Sequence, residues 1–156
     1  MVPPMHGYCK CGDLRFELRN EPLFVHACHC LDCKRNTGSS FGLTCIVLED
    51  DIVIAQGTWR KTNISSRSTA HQCSRCNATI YITSTAFPAT AWLQTSCLED
   101  LRWLKIGAHT WVKRKDDWLQ LPEDVPQFEE GYDRKGTWPA SSLDRLARSV
   151  EGAGAT

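Results

Sequence analysis

Seven of the nine cysteines in this chain lie in three short clusters. The clusters are Cys9-Lys10-Cys11, Cys28-His29-Cys30-Leu31-Asp32-Cys33 and Cys73-Ser74-Arg75-Cys76. Thiolates are preferred ligands of zinc, and cysteines separated by one or two residues can bring two sulfurs to one ion. The spacing therefore predicts metal binding rather than a disulfide framework.

The first and third clusters together predict a closed metal site. Residues i and i+2 of an extended strand face the same side, so Cys9 and Cys11 can share an ion. Cys73 and Cys76 can do the same from a tight turn. Four thiolates fill a tetrahedral zinc site, in which neighbouring sulfurs are about 3.8 Å apart. We expect a structural site, because it joins the N-terminal strand to a turn more than sixty residues later.

The middle cluster predicts a different kind of site. Cys28, Cys30 and Cys33 supply three sulfurs within six residues, and no obvious partner pair remains for them. Three protein ligands and one open position are typical of catalytic zinc, where water or a substrate thiol takes the open position. These three cysteines are therefore the predicted catalytic residues. Lys34 and Arg35 follow directly, and we expect them to moderate the thiolate charge or to hold an anionic substrate.

The alternative is a second closed site, completed by Cys45, Cys97, His26 or His29. Cys45 lies in an apolar, strand-like run and is expected in the core. Cys97 is expected to be buried rather than reactive. His29 stands between two ligand cysteines on an extended segment, so its ring is expected to point away from them. His109 is a candidate substrate-pocket residue, on a strand that can face either solvent or a cleft.

Short strands separated by turns must position these residues. Residues 14–19 alternate apolar and charged side chains, which is the period of a half-buried strand. Further strand-like runs are 24–27, 42–48, 52–55, 79–83, 91–96, 103–106 and 110–113. Helical patterns are confined to residues 30–37 and 141–150, and the second is expected to pack on the surface. We therefore predict a mainly β, antiparallel fold with few short helices.

Composition and charge narrow the class further. The 156 residues are 42% hydrophobic and 23% charged, which suits one globular domain. Eighteen Lys and Arg balance eighteen Asp and Glu, so no net positive charge favours nucleic acid or an anionic membrane as a partner. No apolar run approaches the roughly 18 residues of a membrane span, and the first residues lack a signal-peptide pattern. We expect a soluble, cytoplasmic protein with reduced thiols.

The ordered clusters resemble a known family. The motifs that carry the resemblance are Gly7-Tyr8-Cys9-Lys10-Cys11-Gly12, Cys28-His29-Cys30-Leu31-Asp32-Cys33-Lys34-Arg35-Asn36-Thr37-Gly38-Ser39, Cys73-Ser74-Arg75-Cys76, His109-Thr110-Trp111 and Asp117-Trp118. Together they are similar to the glutathione-dependent formaldehyde-activating enzymes, whose domain also occurs in the centromere protein V group. The resemblance covers roughly residues 5–128. Asn77 stands where many members have Gly, and Asn tolerates the positive φ of such a turn.

The resemblance implies an Mss4-like fold of small antiparallel sheets clasped by zinc. It implies two zinc ions, one structural at the four outer cysteines and one catalytic at the middle three. It also implies a carbon-sulfur lyase that joins or cleaves a small-molecule thiol, glutathione, and an electrophile such as formaldehyde. The zinc-binding domain would occupy residues 1–128. Residues 129–156 would form an extension with a short helix and a disordered end from residue 151.

The sequence is compatible with two other functions. The first is a zinc-dependent lyase or cyclase that acts on a larger specialised metabolite without glutathione. The second is a non-catalytic binding or scaffold domain with two structural zinc ions, as the centromere-associated relatives suggest. An open position at the middle cluster favours an enzyme, and a fourth protein ligand there favours the scaffold.

Overall fold

A computed structural model describes residues 4–153 of the chain, and within them it has the predicted mainly β architecture. The strands are β1 (Met5–Tyr8), β2 (Arg15–Leu18), β3 (Phe24–Cys28), β4 (Gly42–Leu48), β5 (Ile52–Gln56), β6 (Trp59–Asn63), β7 (Ser68–Cys73), β8 (Thr79–Ser84), β9 (Thr90–Gln94), β10 (Ala108–Thr110) and β11 (Gln127–Phe128). The α-helices are α1 (Leu31–Thr37), α2 (Arg134–Thr137) and α3 (Ala140–Ala153). Single 3₁₀ turns occupy Glu49–Asp51, Thr95–Cys97 and Val112–Arg114. No α-helix in this part of the chain is long and apolar enough to cross a membrane.

The strands form two sheets. The small sheet has the order β1-β2-β5 and is antiparallel. The large sheet has the order β11-β10-β3-β4-β9-β8-β7-β6. Its strands from β3 to β6 pair antiparallel, as predicted, but β10 runs parallel to both β3 and β11. Neither parallel pair is joined by a tight turn: β10 follows β3 at a distance in the chain, and residues 111–126 connect β10 to β11.

The large sheet separates two cores, because its central strands alternate apolar residues on both faces. On one face, Val25, Cys45 and Leu93 join the first core, which the small sheet covers with residues such as Phe16. On the other face, Phe24, Ile46 and Ala108 form the second core. Since Cys28 follows Phe24 by four residues on the same strand, its side chain belongs to the face of the second core.

The C-terminal segment, residues 129–153, covers the second core. Trp138 is 5% exposed and stacks on Phe24, with ring centroids 5.7 Å apart. Leu143 and Leu146 of α3 pack against the same cluster. Burial of a side chain of this size stabilises a fold by about 2–3 kcal/mol, so the segment is anchored to the sheet. It packs on the surface of the domain as predicted.

Several boundaries differ from the prediction. Residues 103–106 do not form a strand. The indole N–H of Trp103 donates a hydrogen bond to the carbonyl of Asp100, which stabilises a turn there. The strand predicted at 110–113 ends at Thr110, since Trp111 has a φ of 58° and a 3₁₀ turn follows it. The helix predicted at 141–150 continues to Ala153, three residues into the segment expected to be disordered. The remainder of that segment, residues 154–156, lies outside the described residues.

Candidate metal centres

The structure brings the four outer cysteines together. Their sulfurs all lie within 4.8 Å of one another. The Sγ atoms of Cys9 and Cys11 are 3.4 Å apart, and those of Cys11 and Cys73 are 3.9 Å apart. These separations are close to the roughly 3.8 Å edge of a tetrahedral zinc-thiolate site, so Cys9, Cys11, Cys73 and Cys76 could hold one zinc ion.

A turn, rather than a strand, positions the first cysteine pair. Cys9 and Cys11 follow β1, and the N–H of Gly12 donates to the carbonyl of Cys9 at 2.8 Å. The expectation that this pair lies on an extended strand is therefore wrong. Two strand residues rise by about 6.6 Å, which is too far for sulfurs that share an ion. The turn at residues 10 and 11 shortens that distance, and Gly12 then leaves the turn with a positive φ of 77°.

The second pair lies at the end of β7 and in the turn that follows. The N–H of Asn77 donates to the carbonyl of Cys73 at 3.0 Å, and the N–H of Cys73 donates to the carbonyl of Ala78 at 3.0 Å. Asn77 has a φ of 62°, as its place after the second cysteine predicted. The guanidinium of Arg60 donates to its side-chain oxygen at 2.7 Å. The turn is thus held by the backbone and by a neighbouring strand.

The surroundings of Cys9 favour a thiolate. Burial alone would raise the pKa of its thiol, but the N–H of Leu14 and the thiols of Cys11 and Cys73 lower it to about 6. The N–H of Leu14 donates to the sulfur at 3.3 Å. Cys9 and Cys73 are both fully buried within the first core. Cys11 is exposed and Cys76 is half-buried, so an ion held here would lie at the edge of the first core.

The three middle cysteines meet at a strand–helix junction. Cys28 is the last residue of β3, Cys30 is the N-cap of α1, and Cys33 lies in the first turn of that helix. Their sulfurs lie within 4.8 Å of one another. Within residues 4–153, no fourth Cys, His, Asp or Glu atom joins the group. The geometry offers a metal three sulfurs from this chain.

Local hydrogen bonds and one glycine shape this junction. The N–H of Cys33 donates to the Sγ of Cys30 at 3.4 Å, so Cys30 caps the helix with its ligand atom. Gly42 pairs with Cys28 in the neighbouring strand. A Cβ at Gly42 would lie 3.1 Å from the Cβ of Cys33 and 3.5 Å from its sulfur. Glycine therefore lets α1 approach β4 closely.

Cys28 and Cys33 differ in acidity. The hydrogen bond from Cys33 lowers the pKa of Cys28 more than burial raises it, and bonds from Cys30 bring it to about 6. The same interactions raise the pKa of Cys33. Cys28 thus ionises before Cys33, and a metal ion would supply the charge needed to ionise Cys33.

The histidines next to this group are buried. His29 is fully buried, and its Nε2 lies 3.1 Å from the Nδ1 of His109, which is 3% exposed. Burial lowers the pKa of both imidazoles, so the pair stays neutral at pH 7. His109 therefore lies neither on a wet face nor in an open cleft, contrary to the expectation. The two rings pack together behind the strand–helix junction.

The two isolated cysteines lie in the first core. Cys45 is fully buried and Cys97 is 7% exposed, as predicted. Burial raises the pKa of Cys45 to about 12 and that of Cys97 to about 11. Neither sulfur joins the three-cysteine group. Both thiols are protonated at neutral pH and unsuited to bind a metal as they stand.

Lys34 and Arg35 occupy different environments. Lys34 forms an ion pair with Asp116, which ties α1 to the loop after Val112–Arg114. The hydrogen bond from Lys34 lowers the pKa of Asp116. Arg35 is exposed, lies 3.7 Å from Asp32, and lines a cavity of about 950 Å³ beside α1. Arg35 is therefore the cation of this helix that an anion in solution can reach.

A comparison with protein families gives one match. Residues 4–114 match the family described as glutathione-dependent formaldehyde-activating enzyme. The chain belongs to this family. The match covers both cysteine groups and α1, and it ends before the C-terminal segment.

Solved structures add support at the level of the fold. A crystal structure of a Rhodobacter sphaeroides protein, determined as a structural genomics target, shares 16% sequence identity with this chain. It covers 79% of this chain and 99% of its own, with a TM-score of 0.51. Among curated proteins, no significant match is found.

The family match leaves out one wall of a cavity that borders Cys28. This cavity has a volume of about 980 Å³ and is lined by Cys28 and His26 on one side and by Tyr132 on the other. The hydroxyl of Tyr132 lies 2.7 Å from the Nδ1 of His26. Sequence patterns indicate His26 only as an alternative fourth ligand of the middle cluster and do not indicate Tyr132. His26 could have been found, because strand alternation places it on the same face as Cys28, whereas Tyr132 lies in an irregular segment.

Proposed function

We propose that this member of the formaldehyde-activating family is a zinc enzyme that joins or cleaves a carbon–sulfur bond between a thiol and a carbonyl compound. Glutathione and formaldehyde are the pair that the family description names. The observation that carries the proposal is the three-sulfur group of Cys28, Cys30 and Cys33, which gains no fourth ligand from residues 4–153 and borders a large cavity.

The two groups would hold two zinc ions in different roles. Cys9, Cys11, Cys73 and Cys76 would hold a structural ion at the edge of the first core. Cys28, Cys30 and Cys33 would hold the catalytic ion at the surface of the cavity. Zinc bound by three thiolates accepts a fourth ligand, lowers the pKa of a thiol and stabilises the thiolate.

The reaction also needs a proton at the carbonyl oxygen. In the joining direction the thiol loses its proton, its sulfur forms a bond to the carbonyl carbon, and the carbonyl oxygen gains a proton as the π bond breaks. Burial raises the pKa of Tyr132, so its hydroxyl stays protonated and can donate. It lies in the same cavity as Cys28 and is held by His26. Tyr132 is therefore the proposed proton donor, restored by the proton that the thiol releases.

The thiol co-substrate would use the exposed cation of α1. Glutathione carries two carboxylates, and Arg35 can bind one of them from the cavity beside the helix. Lys34 would contribute by position, because its pairing with Asp116 fixes the helix that carries Cys33. Both residues of the predicted substrate-binding pair thus keep a role, in which Arg35 contacts the substrate and Lys34 positions the helix.

Exchange between glutathione and its formaldehyde adduct tests the proposal. The rate is measured by exchange NMR with ¹³C-formaldehyde, with zinc-loaded wild-type protein and with the Cys30→Ser variant at equal concentration. We expect the wild type to accelerate exchange and the variant to match the uncatalysed rate. Equal rates with and without wild-type protein would contradict the proposal, and turnover of a larger carbonyl substrate without any thiol would favour the alternative lyase or cyclase.

A further inference from the structure

The C-terminal segment, residues 129–153, closes the cavity that borders Cys28. The sheet supplies one wall, with Ile46 and Trp92, and the segment supplies the opposite wall, with Tyr132, Leu143 and Leu146. The family match ends at residue 114, so this wall belongs to the present chain rather than to the family pattern. A specificity determinant is expected in such a place, because it can vary while the metal ligands stay constant.

The size of the cavity does not suit formaldehyde. Its volume is about 980 Å³, and ligand pockets of roughly 300–1,000 Å³ typically hold molecules of drug size. Its walls are mainly aromatic and aliphatic. The rings of Phe87 and Trp92 are in edge-to-face contact, with their centroids 5.4 Å apart. A polar tripeptide would leave most of this surface without matching partners. The walls favour a flat, apolar body such as an aromatic ring.

One charged side chain in the cavity lacks an ionic partner. The guanidinium of Arg134 lies 4.3 Å from the ring centroid of Phe87 and 4.9 Å from that of Trp138. Within residues 4–153, it forms no salt bridge. The carboxylate of Asp133 beside it accepts the N–H of Gly136 at 2.9 Å and caps α2. Lys135 and Asp144 also border the cavity, but both are exposed.

Burial makes this cation a binding group. Desolvation by the surrounding side chains lowers the pKa of Arg134, yet an arginine remains charged at neutral pH. A partly desolvated guanidinium gains more from an anion than an exposed one, because less water competes for it. Its planar donors also match a carboxylate with two hydrogen bonds.

We propose that this cavity binds a ring-bearing, apolar molecule with a carboxylate, which Arg134 holds while the reacting end lies toward Cys28. The proposal deepens the proposed function, on which it rests, by naming the class of its carbonyl substrate. The occupant would be an aromatic or similarly flat carboxylic acid that carries the electrophilic carbon. Glutathione would remain at the separate cavity that Arg35 lines.

Isothermal titration with two isosteric probes tests the binding. The probes are 2-naphthoate and neutral 2-naphthamide, added to the zinc-loaded full chain. We expect naphthoate to bind the wild type about tenfold more tightly than it binds Arg134→Met, which is the usual effect of removing one charged hydrogen-bonding partner. Naphthamide should bind both proteins alike. Arg148→Met is the matched control, because Arg148 is an exposed arginine of α3 outside the cavity, and it should leave both affinities unchanged.

Indole signals in ¹H–¹⁵N spectra locate the probe. Trp92 and Trp111 line the cavity, whereas Trp59 and Trp103 lie elsewhere. We expect naphthoate to shift the first two signals and to leave the other two in place. Absence of binding, equal affinity of naphthoate for wild type and Arg134→Met, or shifts confined to Trp59 and Trp103 would overturn the proposal.

The two measurements distinguish failure of the proposed reaction from failure of the proposed ligand of the cavity. Thiol–aldehyde exchange without naphthoate binding would overturn the cavity assignment and leave the metal chemistry standing. Naphthoate binding that depends on Arg134, in a protein that does not accelerate exchange, would support the cavity assignment and contradict the proposed reaction.

Discussion

The two cysteine groups use the same ligand atom but are assembled in different ways. The four-cysteine group joins two turns, and its Cys11 and Cys73 are 62 residues apart in the chain. The three-cysteine group comes from one strand–helix junction between Cys28 and Cys33. An ion in the first group would close a long loop and bind two cysteines of the core, Cys9 and Cys73, so its binding would contribute to folding. An ion in the second group would link residues that are already close in the chain, so it would add little to folding. It would lie beside a cavity, where its fourth position can bind a substrate.

The largest expected effect comes from the four-cysteine group. Cys73→Ser should prevent stable folding, because a structural zinc contributes about 10–16 kcal/mol and a domain has a stability of about 5–15 kcal/mol. Thermal unfolding followed by circular dichroism measures the loss. Cys45→Ala is the control, since it changes a buried cysteine of the same core that belongs to neither group, and should cost only about 1 kcal/mol. A folded Cys73→Ser protein with the melting temperature of the wild type would remove the structural role.

Metal removal should separate the groups in time. A chelator should first take the ion held by only three cysteines, Cys28, Cys30 and Cys33, because it keeps a position open to a competing ligand, and only later the ion held by four. We expect turnover to fall with the first equivalent of zinc, while the near-ultraviolet circular dichroism changes with the second. Simultaneous loss of both equivalents and of structure would show that the two groups do not differ as described.

Loss of one ligand from the three-cysteine group should affect activity and spare the fold. Serine is a good N-cap, so Cys30→Ser should keep the bond from the N–H of Cys33 and change the free energy of unfolding by less than about 2 kcal/mol. Turnover should disappear, and the metal content should fall from two equivalents to one. Mass spectrometry of the native protein and a thermal melt are the two measurements. Precipitation of this variant beside a soluble Cys73→Ser variant would reverse the assignment of roles.

The smallest effect is expected at Gly42. Gly42→Ala places a methyl group 3.1 Å from the Cβ of Cys33, so α1 must shift by a few tenths of an ångström. We expect a several-fold weaker zinc affinity at the three-cysteine group alone, measured by competition with a chromogenic chelator. Gly152→Ala is the control, because a Cβ there meets no atom within 4 Å. Equal affinities in the two variants would show that the close approach of α1 and β4 does not shape the site.

The sequence predicts most of the two candidate metal centres, because the cysteine spacings that indicate them are short. Six adjacent residues contain all three ligands of the middle group, Cys28, Cys30 and Cys33, and the predicted helix begins among them. The bounds of β4 also match the prediction. Short-range patterns were less informative where the backbone turns. The pattern predicts an extended strand at Cys9 and Cys11, where the chain turns, and it does not indicate β6 and β7, because they carry mostly polar or exposed residues.

The cavity could not be predicted, because its walls meet only in the folded chain. Tyr132 and His26 are 106 residues apart, and nothing near Tyr132 in sequence marks it as a partner. Arg134 lies in a segment without apolar periodicity, where a charged residue is normally a solvated surface group. Its contacts with Phe87 and Trp138 depend on how the C-terminal segment crosses the sheet.

X-ray absorption at the zinc edge tests the central claim most directly. A sample with two verified equivalents of zinc has seven cysteine ligands for two ions, which averages three and a half sulfurs per zinc. The account predicts this average together with half a water oxygen per ion in the absence of thiol, and a rise to four sulfurs when glutathione is added. A protein that binds only one equivalent, or two ions each coordinated by four protein side chains in the absence of thiol, would contradict it.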